Sequence, residues 1–330
     1  MSTQTLPEAA SADQALRGVV VAPPTRQIVA LIETWQALSV RLAALLRDPP
    51  ASALDAQVGQ IDDAFVTLLD AEPDRSLLLL VHTAASETQR YSVTHALAVA
   101  TVCELAARHV DDWDGGARRS LRLAALTMNI AMTRLQDELA LQDAPPSDEQ
   151  RAQIDGHAER GAELLRERGV RDEQWLTAVT HHHDAPPGAL ATQPLEIQLA
   201  RILKRTDIFV ARLSPRRTRK ALSATAAAKG AYFDEQGQPD EAGAVIIKAV
   251  GIYPPGSYVK LQNDETAVVL NRGERANTPT VASTVRASGI PYIQPMPRDT
   301  RMRTLGVTAG VPPNEVMVRT PMEKLLRLVR

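Results

Sequence analysis

The chain has 330 residues, a formal net charge of −2 and a single cysteine, Cys103. This balance disfavours a globally basic nucleic-acid-binding protein, and one cysteine excludes both an internal disulfide framework and a zinc site built from cysteines. Aromatic residues make up 3% of the chain, so the core must come from Ala, Leu and Val, which favours packed helices over a large sandwich.

The N-terminal part predicts a tail followed by two amphipathic helices. Residues 1–25 are rich in Ala, Ser, Thr, Gln and Pro, which is typical of a disordered tail. Apolar residues then recur at helical spacing over 26–47 and 54–70, with a proline pair between. No stretch offers the ~18 apolar residues of a membrane helix, and no signal-peptide core is visible. We therefore expect a cytoplasmic protein with no membrane partner and a helical segment over 26–80.

The middle of the chain predicts one helix after another. Candidate spans are 75–88, 92–109, 118–141, 148–168, 172–183 and 194–213. Past residue 251 the pattern changes to short β-type runs separated by Gly, Asn and Pro. These runs are 258–261, 266–270, 281–285 and 316–318. The predicted fold is mainly α, with a helical bundle over 81–250 and a small β-rich unit over 251–330.

Histidines carry the main chemical signal. His182 and His183 continue the apolar stripe of a predicted helix, so helical spacing places both on the core side. His95 lies in the first turn of a nearly all-apolar helix, and His157 opens another helix. By contrast, two other histidines, His82 and His109, lie near predicted helix ends and are interpreted as surface residues or caps.

Asp207 is the one carboxylate on a predicted apolar stripe, between Leu203 and Val210. A buried carboxylate is costly unless it meets a cation, hydrogen-bond donors or a metal ion. Several inward histidines with one aspartate match the ligands of iron, manganese or zinc. The same residues also fit a hydrogen-bonded polar cluster in the core, and the spacing alone leaves both interpretations open.

Six segments, in this order, resemble the HD-GYP domain, a branch of the HD phosphohydrolase superfamily that hydrolyses cyclic di-GMP at a two- or three-metal site. They are Tyr91 to His95 (the opening helix), His157 to Leu165 ("HPxxGAxxL"), His182-His183-Asp184 ("HHE"), Ala200 to Phe209 ("ARILxVADxFDAL"), Arg219 to Ser223 ("YRKALS") and Gly251 to Gly256 ("GIYPPG"). The resemblance implies an HD-type helical bundle. It also implies a metal ligand set of His95, His157, His182, His183 and Asp207.

Three positions depart from that family's pattern. Where the family has "LLHDIGK", this chain has Met128 for the metal-binding His, Asn129 for the bridging Asp and Met132 for the Lys. A thioether is a poor ligand for a hard cation, a neutral amide cannot bridge two metals as a carboxylate does, and Met cannot donate a proton. The family's "DGxGYP" loop is also missing after Asp184. The resemblance therefore implies a degenerate member with at most one divalent metal ion, iron, manganese or zinc.

Residues 201–220 form a basic stretch, with eight Lys and Arg against Asp207. One interpretation is an anion site for the phosphates of a nucleotide or a nucleic acid, and the other is a solvated face. The phosphate-binding candidates are Arg216, Arg217, Arg219 and Lys220.

The leading hypothesis is a degenerate HD-GYP-type protein in bacterial cyclic di-GMP-related signalling, acting as a binding or interaction module with little or no phosphodiesterase activity. The alternative is an active metal-dependent phosphohydrolase with an atypical, single-metal site. The expected partners are a cyclic nucleotide, an unidentified protein and a second copy of the chain, whereas nucleic acid is disfavoured.

Overall fold

A computed structural model describes residues 26–329; the tail expected over 1–25 lies outside them. The helices are α1 (Arg26–Arg47), α2 (Leu54–Ala71), α3 (Pro73–Ser86), α4 (Tyr91–Ala107), α5 (Gly115–Thr127), α6 (Thr133–Leu141), α7 (Asp148–Asp155), α8 (His157–Glu167), α9 (Glu173–Thr180), α10 (Leu195–Leu213), α11 (Ala224–Tyr232), α12 (Glu241–Val250) and α13 (Met322–Leu326). The strands are β1 (Tyr258–Leu261), β2 (Thr266–Asn271), β3 (Thr280–Val285), β4 (Pro291–Asp299) and β5 (Val307–Val311). The predicted mainly α fold with a small β-rich unit is confirmed.

Helix α4 is the centre of the helical part. All 17 of its residues are buried, because neighbouring helices surround it on every side. A helix that is apolar all round is stable only in such a position. The elements that carry the candidate site residues, α4, α8, α9 and α10, therefore rest on a packed scaffold.

Helix α1 is long and apolar enough to cross a membrane by length and composition, which the sequence analysis did not expect of any segment. In the fold it packs against α2 and α4, and it buries Trp35, Leu38 and Leu42 in the main core. A core helix meets the same criteria of length and composition as a membrane span.

A buried ion-pair network joins α2, α4 and α5. The guanidinium group of Arg122 donates to both carboxylate oxygens of Asp62, at 2.6 and 2.9 Å, and to Glu104 at 2.7 Å. All three residues are buried. Charges this deep are stable only when each one is paired, so the network fixes how these three helices meet.

The strands form one antiparallel sheet in the order β4-β3-β2-β1-β5. One face packs on the N-terminal helices, where Leu78 and Ile28 join Val268 and Leu270 in a shared apolar cluster. The edge strand β4 contains three prolines among its nine residues, and proline in a sheet is confined to such places because it lacks an N–H. The opposite edge, β5, lies against α11.

The loop before β1 approaches α3 very closely. Gly256 has a φ of +93°, and a Cβ built on it would lie 2.6 Å from the carbonyl oxygen of Leu78. Only glycine fits both the backbone conformation and the close contact. The motif "GIYPPG" therefore ends in a residue that seats the sheet on the helical part.

Several predicted element boundaries are wrong. The expected helix 118–141 breaks between Met128 and Met132, the expected helix 148–168 breaks at Gly156, and 172–183 ends at Thr180. The expected strand 316–318 is not a strand; β4 and β5 lie earlier in the chain. Helices α11 and α12 had no predicted counterpart.

Candidate functional site

Three histidines come together where α8 begins and α9 ends. Nε2 of His157 lies 3.2 Å from Nε2 of His182 and 3.2 Å from Nε2 of His183. One ligand atom from each ring lies within 4.8 Å of the others. The three residues, which we name the histidine cluster, are brought together as the resemblance implied.

The remaining ring nitrogens fix how two of these rings are protonated. Nδ1 of His157 lies 2.5 Å from the carbonyl oxygen of Ile154, and Nδ1 of His182 lies 2.6 Å from that of Val179. A carbonyl oxygen only accepts, so each Nδ1 carries the proton and a neutral ring keeps its lone pair on Nε2. Backbone carbonyls orient metal-binding histidines in the same way.

Burial keeps both of these rings neutral. It lowers the pKa of His157, and it lowers the pKa of His182 to about 3, with the charge of His183 as a further cause. Two Nε2 lone pairs that face each other across 3.2 Å repel unless a proton or a cation lies between them. The donor set therefore fits a metal ion.

His183 differs from the expectation that it points into the core. Its ring reaches His157, but the residue is exposed, because α9 has ended at Thr180 and residues 181–184 form a turn. The cluster therefore has two buried histidines and one at the surface. Three histidines with an open side match zinc sites that keep a position for water or substrate.

His95 and Asp207 form a separate pair beside the cluster. Nε2 of His95 lies 2.7 Å from Oδ1 of Asp207, which ties α4 to α10. Burial alone raises the pKa of Asp207, but the hydrogen bond and charge of His95 outweigh it and hold the pKa below its usual range. Asp207 also acts electrostatically on His157 and His182, so the pair lies close to the cluster.

An arginine-bearing hairpin lies next to this pair. The backbones of Arg216 and Arg219 exchange two hydrogen bonds of 2.8 and 2.9 Å, which closes a tight turn. The ring of Tyr91 stacks on His95 at 5.5 Å, and the guanidinium group of Arg216 lies 4.8 Å from the centre of the Tyr91 ring. Nε of Arg216 is buried without a hydrogen-bond partner among residues 26–329. Arg216, Tyr91 and His95 therefore stack in a row, and the hydrogen bond of His95 continues this row to Asp207.

Most of the basic stretch is already engaged. Arg201 and Arg205 donate to buried Asp240, at 2.8 and 3.1 Å, and Lys204 pairs with Glu235. In the hairpin, Arg217 pairs with Asp143 at 2.7 Å. Lys220 is exposed. Arg216, Arg219 and Lys220 form no ion pair in the described part of the chain, although Arg219 donates to the carbonyl oxygen of Ala211. The expected anion site therefore narrows to these three residues.

The three positions that differ from the family's motif, Met128, Asn129 and Met132, lie in the break between α5 and α6. Met128 and Met132 are buried, and Asn129 is half-buried. The short loop after Asp184 is fastened elsewhere, because Arg201 donates to the carbonyl of Gly188 and Glu241 accepts from the amide of Leu190 at 2.6 Å. The loop is therefore held against α10 and α12.

His82 is not the surface residue that the sequence analysis expected. It is buried in α3, its Nδ1 lies 3.2 Å from the carbonyl oxygen of Gly256, and its ring packs on Tyr258. Its neighbours come from more than 170 residues later in the chain, so no local pattern signals them. His109 is exposed, as expected.

Comparison of the sequence with known proteins points to the same family as the motifs. The model of the HD domain family matches residues 92–212, which contain the histidine cluster, His95 and Asp207. The chain is also 29% identical, over 300 residues, to a cyclic di-GMP phosphodiesterase of Pseudomonas aeruginosa, covering 84% of this chain and 70% of that protein. No solved structure matches at a comparable level of significance. Both findings support the resemblance of this chain to the HD superfamily and to its HD-GYP branch.

Proposed function

We propose that this protein binds a cyclic dinucleotide, cyclic di-GMP or a close relative, and hydrolyses it slowly or not at all. The arginine hairpin holds the phosphates, and the histidine cluster holds one divalent metal ion, with zinc the best match. The observation that carries the proposal is the contrast between a preformed cluster of three histidines and the buried Met128 and Met132, which stand where the family that this chain resembles has hydrolytic groups.

The binding half of the proposal rests on charge and on relatedness. Arg216 and Arg219 lie on one short turn, and Arg216 reaches Tyr91 beside the His95–Asp207 pair. Guanidinium groups bind phosphate through several donors at once. The related Pseudomonas aeruginosa protein is named as a cyclic di-GMP phosphodiesterase, which supports a cyclic dinucleotide as the ligand.

Three features of the site argue against efficient hydrolysis of a cyclic dinucleotide. Within residues 26–329, the group that could hold a metal contains three histidines and no carboxylate. The nearby carboxylate of Asp207 is hydrogen-bonded to His95. Met132 offers no proton for a leaving alkoxide. A zinc ion in the cluster would supply a water of lowered pKa, and this keeps a single-metal phosphohydrolase as the rival function.

The decisive experiment combines metal analysis, binding and turnover on the full chain. We expect about one equivalent of zinc, saturable cyclic di-GMP binding by calorimetry, and turnover near the uncatalysed background. The double substitution Met128→His with Asn129→Asp should raise both the metal content and the turnover. Fast hydrolysis by the unaltered chain would refute the proposal and favour the rival.

Matched arginine variants test the ligand site separately. We expect Arg216→Ala and Arg219→Ala to weaken cyclic di-GMP binding by about 10- to 100-fold, because each removes charge-assisted hydrogen bonds. Arg217→Ala on the same turn is the control, since its side chain pairs with Asp143. Equal affinity in all three variants would place the phosphates elsewhere.

A further inference from the structure

A cavity lies between the N-terminal helices and α4, away from the histidine cluster. Its volume is about 90 Å³. Helices α1, α3 and α4, together with the loop that joins α3 to α4, supply its walls. Neither the metal site nor the arginine hairpin contributes a residue to it, so it is a separate feature of the molecule.

The inner wall of this cavity is apolar. Trp35, Leu79 and Leu97 line it, and all three are buried. An apolar cavity of 150 Å³ holds a benzene ring, so about 90 Å³ suits a group of roughly four carbon atoms by the same proportion. The space therefore fits a short, branched aliphatic chain.

The mouth of the cavity carries two opposite charges. Glu87 and Arg90 both line it, both are exposed, and they are three residues apart in the loop. Within residues 26–329, neither side chain forms a hydrogen bond or an ion pair, with the other or with any third group. The side chains of Gln36 and Ser39, on the α1 wall, also make no hydrogen bond in this part of the chain. The mouth thus offers a cation, an anion and two neutral polar groups.

We propose that this cavity binds a free α-amino acid with a branched aliphatic side chain, such as leucine. The carboxylate meets Arg90, the ammonium group meets Glu87, and the side chain fills the space above Trp35. Gln36 and Ser39 supply further hydrogen bonds. A fatty acid fits less well, because its carboxylate would lie near Glu87 with no ammonium group to offset the repulsion.

The cavity shares helix α4 with the candidate site, although the two have no residue in common. Thr94 and Leu97 of α4 line the cavity, and Tyr91 and His95 lie on the same turns of that helix. Arg90 itself has a left-handed backbone, with φ at 55°, and is joined directly to Tyr91. Amino-acid binding is independent of the proposed function, whereas any effect on cyclic dinucleotide affinity rests on it.

Calorimetry on the full chain tests the proposal. We expect saturable binding of leucine, and at least about tenfold weaker binding of 4-methylpentanoate, which lacks the amine, and of isopentylamine, which lacks the carboxylate. Alanine should also bind more weakly, because it leaves the cavity empty. No saturable heat with leucine, isoleucine or valine up to about 10 mM (weaker than the millimolar range) would overturn the proposal, as would equal binding of 4-methylpentanoate.

Variants of the cavity provide the second measurement. Arg90→Gln and Glu87→Gln should each weaken leucine binding by about tenfold or more, and Leu79→Phe should abolish it by filling the space. Arg303→Gln, an exposed arginine of the β unit, is the control and should bind as the unaltered chain does. Thermal melts confirm that each variant is folded. Unchanged leucine affinity in a folded Leu79→Phe variant would refute the site.

Discussion

His95 contacts Asp207 through Nε2, at 2.7 Å, while its Nδ1 atom is buried without a hydrogen-bond partner among residues 26–329. The pair joins two helices whose residues are 112 positions apart in sequence. Asp207 is hydrogen-bonded to His95 and acts on the histidine cluster only through its charge.

The histidine cluster should bind metal through its buried rings. We expect His182→Ala to reduce bound zinc from about one equivalent to near zero, since two histidines rarely suffice for a zinc site. His181→Ala is the control, because His181 faces Asp184 at the surface. Elemental analysis of protein purified without a chelator or a histidine tag makes the comparison. Equal zinc in both variants would contradict the assignment.

Gly256 should be among the residues least tolerant of alanine. A Cβ there would lie 2.6 Å from the oxygen of Leu78, in addition to the strain of a positive φ. We expect Gly256→Ala to lower the free energy of unfolding by about 2–4 kcal/mol. Gly237→Ala is the control: its φ is +76°, but nothing lies within 4 Å, so we expect about 1 kcal/mol. Denaturant melts of both variants separate the clash from the strain.

Glu265 should contribute stability that is lost in acid. The hydrogen bond from Arg298, more than any other cause, lowers the pKa of Glu265 from 4.5 to about 2. A carboxyl group with a lowered pKa stabilises the fold above its unfolded-state pKa, and that contribution disappears as the pH falls from 4.5 through about 2.

We therefore expect Glu265→Gln to cost about 2 kcal/mol at pH 7 and to show a smaller loss of stability on acidification than the unaltered chain. Asp299→Asn removes an exposed ion pair with Arg301 and should leave stability at pH 7 nearly unchanged. Parallel acid dependence in Glu265→Gln and the unaltered chain would show that this carboxyl group is not linked to folding.

Arg122 should be essential to the helical scaffold. Its loss leaves Asp62 buried without its bidentate cation and removes one of the cations of Glu104, and breaking a buried pair in this way costs about 3–5 kcal/mol. Arg122→Met keeps the volume but removes the charge. Arg166→Met is the control, because Arg166 pairs with Glu173 outside this network, its side chain is 52% exposed and such pairs contribute little. Chemical denaturation should separate the two variants by several kcal/mol.

Local patterns predicted much of the fold. The apolar spacing over 26–47 and 194–213 predicted α1 and α10 within a residue, because both helices present a regular apolar stripe to the core. The break at Met128 to Met132 was missed, since that segment remains apolar through the turn. Apolar composition alone does not show where a helix stops.

The sequence predicted which residues belong to the candidate site better than it predicted which of them contact each other. His157, His182 and His183 were selected from spacing and motif resemblance, and the structure brings them together. The pairing of His95 with Asp207, the stacking of Arg216 on Tyr91 and the burial of His82 depend on contacts between distant segments. Such contacts leave no periodic signal in a single sequence.

The prolines of β4 and the helix beside β5 have a consequence for self-association. A sheet grows by adding a strand to a free row of N–H and C=O groups, and here one border has lost three of its N–H donors while α11 lies along the other. In the described part of the chain, both borders of this sheet are therefore poor templates for pairing with a strand of a second copy.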